Sequence, residues 1–151
     1  MQVKTKAYGM LELDERQIIR FPSGLFGFET LTDFVLMDAR QQPFYWLQSM
    51  DVEQVAFVLI KPSIFRPDYN PGVVKADLEL LELESDSGEE ALVFSIVTFQ
   101  EDNKAMTANL QGPILINKNN RTGRQCISMD SRWKTRHNIA DELASQKESV
   151  C

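Results

Sequence analysis

The sequence predicts a mostly β fold: a small antiparallel β-barrel-like single domain with one or two short helices. Glycine and proline recur at short intervals, and the runs between them are short and rich in β-branched and aromatic residues, as in sandwiches and barrels. Helical periodicity is scarce. The length of 151 residues and a hydrophobic content of 43% suit one globular domain with its own core.

Nine of these runs are predicted to be β-strands. Several alternate in polarity, which places one face of the strand on the core and the other in solvent. Along the chain they are Val3–Tyr8, Met10–Leu13, Gln17–Phe21, Phe34–Asp38, Phe44–Gln48, Ala56–Ile60, Ala91–Phe99, Thr107–Asn117 and Gln125–Met129.

One amphipathic helix is predicted over Val74–Leu83. Its apolar residues Val74, Leu78 and Leu81 fall at positions i, i+4 and i+7, which share one face of a helix. A single turn is expected over Thr30–Asp33.

We place the domain at residues 1–137 and a C-terminal tail at residues 138–151. The tail contains several helix-forming residues but continues none of the strand patterns. Chain ends are often poorly ordered unless they pack against the domain. The tail is therefore predicted to be helical or disordered.

Neither a catalytic site nor a metal site is predicted. The only histidine, His137, lies in a charged segment and is interpreted as solvated. The cysteines, Cys126 and Cys151, are far apart and outside any CxxC motif, so neither a disulfide framework nor a zinc site is expected. Glycine motifs for phosphate binding are absent from the sequence, and no cofactor is expected.

Paired carboxylates leave a small hydrolase as a weak alternative to a non-enzymatic binding protein. The pairs are Glu82/Glu84, Glu89/Glu90 and Glu101/Asp102. Such pairs catalyse glycoside hydrolysis only when burial raises the pKa of one partner. All three pairs lie beside predicted turns, where a solvated charged face is the common explanation.

Charge is unevenly distributed along the chain. Residues 76–117 carry nine acidic side chains and one basic one, whereas residues 118–151 carry seven basic and four acidic ones. An acidic segment repels phosphate backbones, so direct binding of nucleic acid is not expected. The basic tail and Trp133 leave an RNA- or DNA-binding barrel as an alternative.

No membrane association is expected. The longest apolar run is Val55–Ile60, whereas a helix needs about 20 apolar residues to cross a bilayer. The segment Met1–Lys6 lacks the apolar stretch of a secretory signal. With the two separated cysteines, these features predict a reduced, cytoplasmic protein.

Three segments, in matching order and spacing, resemble the signature motifs of the flagellar assembly factor (FliW) family. They are Ile19–Glu29 (IRFPSGLFGFE), Phe44–Ser49 (FYWLQS) and Met106–Asn117 (MTANLQGPILIN), followed by Gly123–Gln125. The resemblance runs from about Val3 to Arg136. The chain departs from the family pattern at Lys61, where an acidic residue is common, and at Trp133, where tyrosine is expected.

This resemblance implies a non-enzymatic regulator that switches between partners. Members of the family bind the carbon storage regulator CsrA, a basic dimer that represses translation of flagellin messenger RNA, and they also bind flagellin. Binding of CsrA would relieve the repression. A chaperone that serves flagellin alone remains an alternative.

Ten residues are candidates for partner contacts. They are Leu25, Phe26, Phe28, Glu29, Glu82, Glu84, Glu89, Glu90, Gly112 and Pro113. Leu25 and Phe26 occupy the tip of a glycine-flanked turn and are expected to form an exposed apolar anchor. The acidic residues are expected to repel RNA, and Gly112-Pro113 is expected to mark a bulge or an exposed edge that accepts a partner strand.

Other residues of the same motifs are assigned structural roles. Phe21, Phe28 and Phe34 are predicted to be core aromatics. Gly24 and Gly27 are expected to supply backbone conformations that other residues avoid. The amides of Gln48 and Asn109 are expected to satisfy neighbouring backbone groups, and Asn117 is expected to form a turn.

Overall fold

The computed structural model describes residues 1–102 and 104–149, which contain eleven strands and two α-helices. The strands are β1 Gln2–Thr5, β2 Gly9–Glu12, β3 Ile18–Arg20, β4 Asp33–Asp38, β5 Tyr45–Ser49, β6 Ala56–Ile60, β7 Ala91–Phe99, β8 Met106–Ala108, β9 Ile114–Asn117, β10 Thr122–Gln125 and β11 His137–Asn138. The helices are α1 Lys75–Leu80 and α2 Ile139–Ser149, and short 3-10 turns span Glu15–Gln17 and Pro62–Ile64.

Seven strands close into a barrel, which confirms the predicted mostly β fold. Their order is β3-β4-β5-β6-β7-β9-β10, and β10 returns to β3. The closing pair is parallel, with Thr122 opposite Arg20, and the Arg20 amide donates to the Arg121 carbonyl at 3.0 Å. The other pairings around the barrel are antiparallel.

The expected strand Thr107–Asn117 is wrong as one continuous element. Its two ends are β8 and β9, which both pair with β7. Ala108 lies opposite Val97 and Ile114 lies opposite Phe94. Ala108 and Ile114 are therefore six positions apart in the sequence, whereas their partners in β7 are three positions apart. The extra residues loop out between the two strands, because β7 cannot pair with both in one register.

The expected strand Gln125–Met129 begins earlier, since β10 covers Thr122–Gln125. Beyond Gln125 the backbone follows the loop between β8 and β9: Cys126 donates to the Pro113 carbonyl, and Ser128 to the Gln111 carbonyl. These bonds pair an extended segment with an irregular loop, so no regular ladder forms.

The first predicted strand, Val3–Tyr8, is shorter than expected because Thr5 turns the chain. Its hydroxyl donates to the Gly9 carbonyl and accepts from the Tyr8 amide. The helix expected over Val74–Leu83 is confirmed in its central part as α1. The turn expected at Thr30–Asp33 lies earlier, because Asp33 already belongs to β4.

The barrel interior contains the main core. Phe21 and Phe34 are fully buried there, with ring centroids 5.4 Å apart in an edge-to-face contact, which confirms both as core aromatics. Phe28 is 37% exposed, so its prediction as a core residue is wrong. It lies against Phe57 at a centroid distance of 5.2 Å, at the boundary between core and solvent.

A second core lies outside the barrel, beneath α2. It combines Ile60, Phe65, Leu110, Trp133 and Ile139. The strand β11 crosses the boundary expected at residue 137 and pairs with β8. Residues 150 and 151, at the end of the predicted tail, lie outside the described residues.

The expectation of a solvated histidine is wrong. The Nδ1 atom of His137 lies 2.7 Å from a Glu142 carboxylate oxygen, and Nε2 accepts a hydrogen bond from the Lys134 amide. The side chain is largely buried because β11 and α2 enclose it. Within the described residues, no helix has both the length and the apolar character needed to cross a bilayer.

Replacing Gly24 with alanine is expected to destabilise the barrel more than replacing Gly9. Both glycines have positive φ, +65° and +70°, so each alanine carries about 1–2 kcal/mol of backbone strain. A Cβ at Gly24 would also lie 2.4 Å from the Phe28 carbonyl oxygen, whereas nothing lies within 4 Å of one at Gly9. Urea unfolding of both variants should show a further loss of about 1–3 kcal/mol for Gly24→Ala. Equal losses would contradict the clash.

Candidate partner-binding surface

A tight turn follows β3 and carries the first candidate residues. Leu25 and Phe28 face each other as a bridged pair, and the Phe28 amide donates to the Leu25 carbonyl at 2.7 Å. Gly24 and Gly27 both have positive φ, as expected of residues that let the chain reverse here. The turn therefore has a defined shape, and its tip is the dipeptide Phe26-Gly27.

The two apolar candidates of this turn have different environments. Leu25 is 1% exposed and belongs to the barrel core, so its expected role in an exposed anchor is wrong. Phe26 is 52% exposed. Glu29 is also exposed, and its carboxylate accepts from the Gly27 amide at 3.1 Å. Leu25 fixes the turn to the barrel, which leaves Phe26 as the residue a partner can reach.

Gln125 holds this turn in place, and sequence reasoning gave it no role. Its side-chain oxygen accepts from the Phe26 amide at 2.9 Å, and its side-chain nitrogen donates to the Gly112 carbonyl at 3.1 Å. The side chain is buried, where an amide needs partners for both ends. The sequence signal that could have identified Gln125 was its place directly after Gly123-Arg124, in the segment that follows the third motif.

Gly112 and Pro113 form no exposed edge, which corrects the expectation of strand addition there. Both residues are buried, and the Pro113 carbonyl accepts from the Cys126 amide. The Asn109 side chain accepts from the Gly112 amide at 2.8 Å, which confirms its predicted structural role. These bonds occupy the backbone groups that an added strand would require.

The acidic candidates lie on an anchored segment after α1. Leu81 and Leu83 are buried against Leu115 and Cys126. The two glutamates that alternate with these leucines, Glu82 and Glu84, are exposed. The chain turns here, with Leu81 in a right-handed helical conformation and Glu82 at a φ of +57°, and burial of the two leucines leaves both glutamates in solvent.

The acidic segment and the start of β7 together form one surface. Glu84, Glu89 and Glu90 line a shallow depression of about 240 Å³. The Glu90 carbonyl accepts from the Lys118 amide at 3.0 Å, which ties this segment to the end of β9. We call Glu82, Glu84, Glu89 and Glu90 the acidic face. All four are exposed, so none has the burial that catalytic carboxylate pairs require.

Two side chains attach the acidic face to the barrel. The side-chain nitrogen of Asn117 donates to the backbone carbonyls of Leu81 and Glu82, at 2.9 and 3.3 Å. Its side-chain oxygen accepts from the backbone amide of Asn119, which confirms the predicted turn role. Arg124 donates to the Asp77 carboxylate at 2.9 Å and to the Ser23 hydroxyl at 3.0 Å. Arg124 thus links α1 to the segment that leads into the turn carrying Phe26.

The described residues contain no group of three or more histidine, cysteine, aspartate or glutamate side chains that could hold a metal ion. Cys126 is buried, and this burial raises the pKa of its thiol to about 12. Nearby Asp77 acts in the same direction. The thiol therefore remains protonated and is a poor nucleophile at neutral pH. Cys151 lies outside the described residues.

Trp133 is unsuited to stack against a nucleic-acid base. The guanidinium groups of Arg66 and Arg132 lie over its ring at 4.7 and 4.8 Å, and its indole nitrogen donates to the Asn70 carbonyl. The side chain is 1% exposed. Trp133, on which the hypothesis of a nucleic-acid-binding barrel partly depended, therefore belongs to the second core.

Comparisons with known proteins agree along nearly the whole chain. A family model described as FliW protein matches residues 2–139. The flagellar assembly factor FliW of Treponema denticola is 42% identical over 144 residues, covering 95% of this chain and 96% of that protein. Its counterpart in Leptospira biflexa is 40% identical, covering 96% and 97%. A crystal structure of the flagellar assembly factor FliW has a TM-score of 0.81 at 35% identity, covering 92% of this chain and 96% of that one.

In a Cys151→Ser background, Cys126 is expected to react with a thiol reagent only when the protein unfolds. Burial both blocks access and keeps the thiol protonated. The labelling rate at neutral pH should therefore be slow in buffer and should rise across the urea unfolding transition. Denatured protein provides the fully reactive control. Rapid labelling of the native protein would contradict the burial.

Proposed function

The chain belongs to the FliW family, and from this membership we propose that it acts without catalysis, as a flagellar assembly factor that binds the translational repressor CsrA and flagellin. Binding of CsrA would relieve repression of flagellin messenger RNA. Binding of flagellin would withdraw the protein from CsrA, so translation would fall while unexported flagellin accumulates and would resume once it is exported. The proposed location is the cytoplasm, where messenger RNA and newly made flagellin meet.

The acidic face is the observation that supports CsrA as a partner. Its four glutamates are exposed and attached to a closed barrel, so they present a fixed negative surface. A basic RNA-binding protein is electrostatically complementary to such a surface. Once bound, the same charges would repel RNA across about 8–10 Å, the Debye length at physiological salt.

Phe26 supplies a second candidate contact, which is apolar and 52% exposed. Exposed aromatic residues are frequent anchors of protein interfaces, and the bonds of Gln125 and the burial of Leu25 hold the Phe26 turn in one shape. A preformed anchor loses little conformational entropy when it binds. We assign Phe26 to partner binding without assigning it to either partner.

Co-purification provides the direct test. Immobilised protein is expected to retain CsrA and flagellin when each is offered alone, and to release CsrA when flagellin is added. Retention of flagellin without CsrA would contradict the switch and identify a chaperone for flagellin alone. Retention of flagellin leader RNA in the absence of CsrA would identify an RNA-binding protein instead.

Reversing the charge of Glu84, Glu89 and Glu90 to lysine is expected to weaken displacement of leader RNA from CsrA. These three residues line one depression, whereas Glu82 is left unchanged because its carboxylate accepts from Asn120. A gel-shift competition at low salt should require roughly tenfold more of the variant. The loss should shrink at high salt because ions screen exposed charges.

A triple variant elsewhere on the surface controls for net charge. Asp38, Asp51 and Glu53 are exposed and belong to other parts of the barrel, so their replacement by lysine changes the charge equally. This control should displace RNA as the parent protein does. Equal losses in both triple variants would contradict a role for the acidic face itself, and no loss in either would contradict the electrostatic mechanism.

A further inference from the structure

We propose that a depression lined by Arg16, Arg20 and Arg121 is a second binding site, which takes the carboxylate side chains of an acidic protein segment. The depression has a volume of about 320 Å³ and is completed by Glu15, Ile18 and Asn120. Three arginines line this depression on a chain whose net charge is −6. This site is distinct from the acidic face, and its test requires neither CsrA nor flagellin.

Barrel closure holds two of the three arginines together. The Arg20 amide donates to the Arg121 carbonyl at 3.0 Å, across the parallel pairing of β3 with β10. The backbone positions of both arginines are therefore set by the strand pairing that completes the barrel. Guanidinium groups on such a framework are partly organised before a ligand binds.

The third arginine is held by its own turn. Asp14 caps the 3-10 turn Glu15–Gln17, and its carboxylate accepts from Arg16 Nε at 3.1 Å and from Nη2 at 2.9 Å. Hydrogen bonds from the Arg16 side chain and amide lower the pKa of Asp14 to about 2. The carboxylate therefore stays ionised near neutral pH and continues to orient Arg16.

Arg121 is the least neutralised of the three. Arg20 lies 3.5 Å from an Asp33 oxygen, and Arg16 is paired with Asp14. No ion pair within 4.0 Å involves Arg121 among the described residues. Its side chain is exposed, so its donors are available to a ligand.

The backbone at Arg121 adopts a left-handed conformation. Its φ is +56°, a left-handed conformation that glycine and asparagine adopt most readily. The two preceding residues, Asn119 and Asn120, are of the type that suits this position. An arginine there costs backbone strain that a smaller residue would avoid. Glu82 and Lys104 share this conformation, at φ +57° and +56°, so the backbone at Arg121 shows only that asparagine is a compatible replacement there.

The surroundings favour a short acidic peptide segment over a nucleic acid. Glu15 lies on the rim, and Asn120 donates to the Glu82 carboxylate at 3.1 Å, so the acidic face begins beside the arginines. A continuous phosphate backbone would meet repulsion from Glu82 on leaving the depression. A short peptide can instead place its acidic residues among the arginines and uncharged residues opposite the glutamates.

The test is a titration followed by NMR of the arginine Nε–Hε signals. The probe is a blocked hexapeptide of alternating glutamate and serine, compared with a peptide in which glutamine replaces glutamate and with hexauridylate. The glutamate peptide is expected to shift the Arg20 and Arg121 signals. Absence of these shifts, equal shifts with the glutamine peptide, or tighter binding of hexauridylate would overturn the proposal.

Arg121→Asn is the decisive variant, because asparagine tolerates the left-handed conformation and the fold should be at least as stable. Affinity for the glutamate peptide is expected to fall roughly threefold to tenfold, as one charged hydrogen-bonding group is lost. Arg136→Asn removes the same charge from an exposed site elsewhere and should leave the affinity unchanged. Equal effects of the two variants would overturn the assignment to this depression.

Discussion

The parallel pairing of β3 with β10 is the constraint on which the surfaces of this protein depend. It closes the barrel through Arg20 and Thr122, and it requires the absence of a side chain at Gly123, where a Cβ would lie 2.6 Å from the Phe21 ring. A close approach of backbone to an aromatic ring is a place where only glycine fits. Closure therefore depends on a pair of residues from distant parts of the sequence.

Residues on either side of Gly123 connect this closure to each proposed binding surface. Gln125 bonds to the turn that carries Phe26, and Arg124 bonds to Asp77 of the helix before the acidic face. Arg121 lines the basic depression. β10 and the residue before it thus set the positions of the turn that carries Phe26, the acidic face and the basic depression. We expect these three to move as one body because they share one rigid ladder.

Opposite charges lie side by side on this surface without neutralising each other. Asn120 separates Glu82 from Arg121 and bonds to the Glu82 carboxylate, while Asn117 holds the backbone of the acidic segment. Neutral amides at the boundary keep both charged groups solvated and available to partners. A single molecule that covered both regions would therefore have to present opposite charges to them.

The sequence by itself determined the fold class, the strands Ala56–Ile60 and Ala91–Phe99, the burial of Phe21 and Phe34, and the family, because alternation, turn residues and motif spacing are local properties. Tertiary structure decided the rest. Leu25 and Gly112 are buried, and the Trp133 ring contacts the guanidinium groups of Arg66 and Arg132. Residues far away in the chain contribute to each of these environments. The same holds for Arg121, which lies beside Arg16 and Arg20 because parallel pairing joins β3 to β10. No local pattern encodes such long-range proximity.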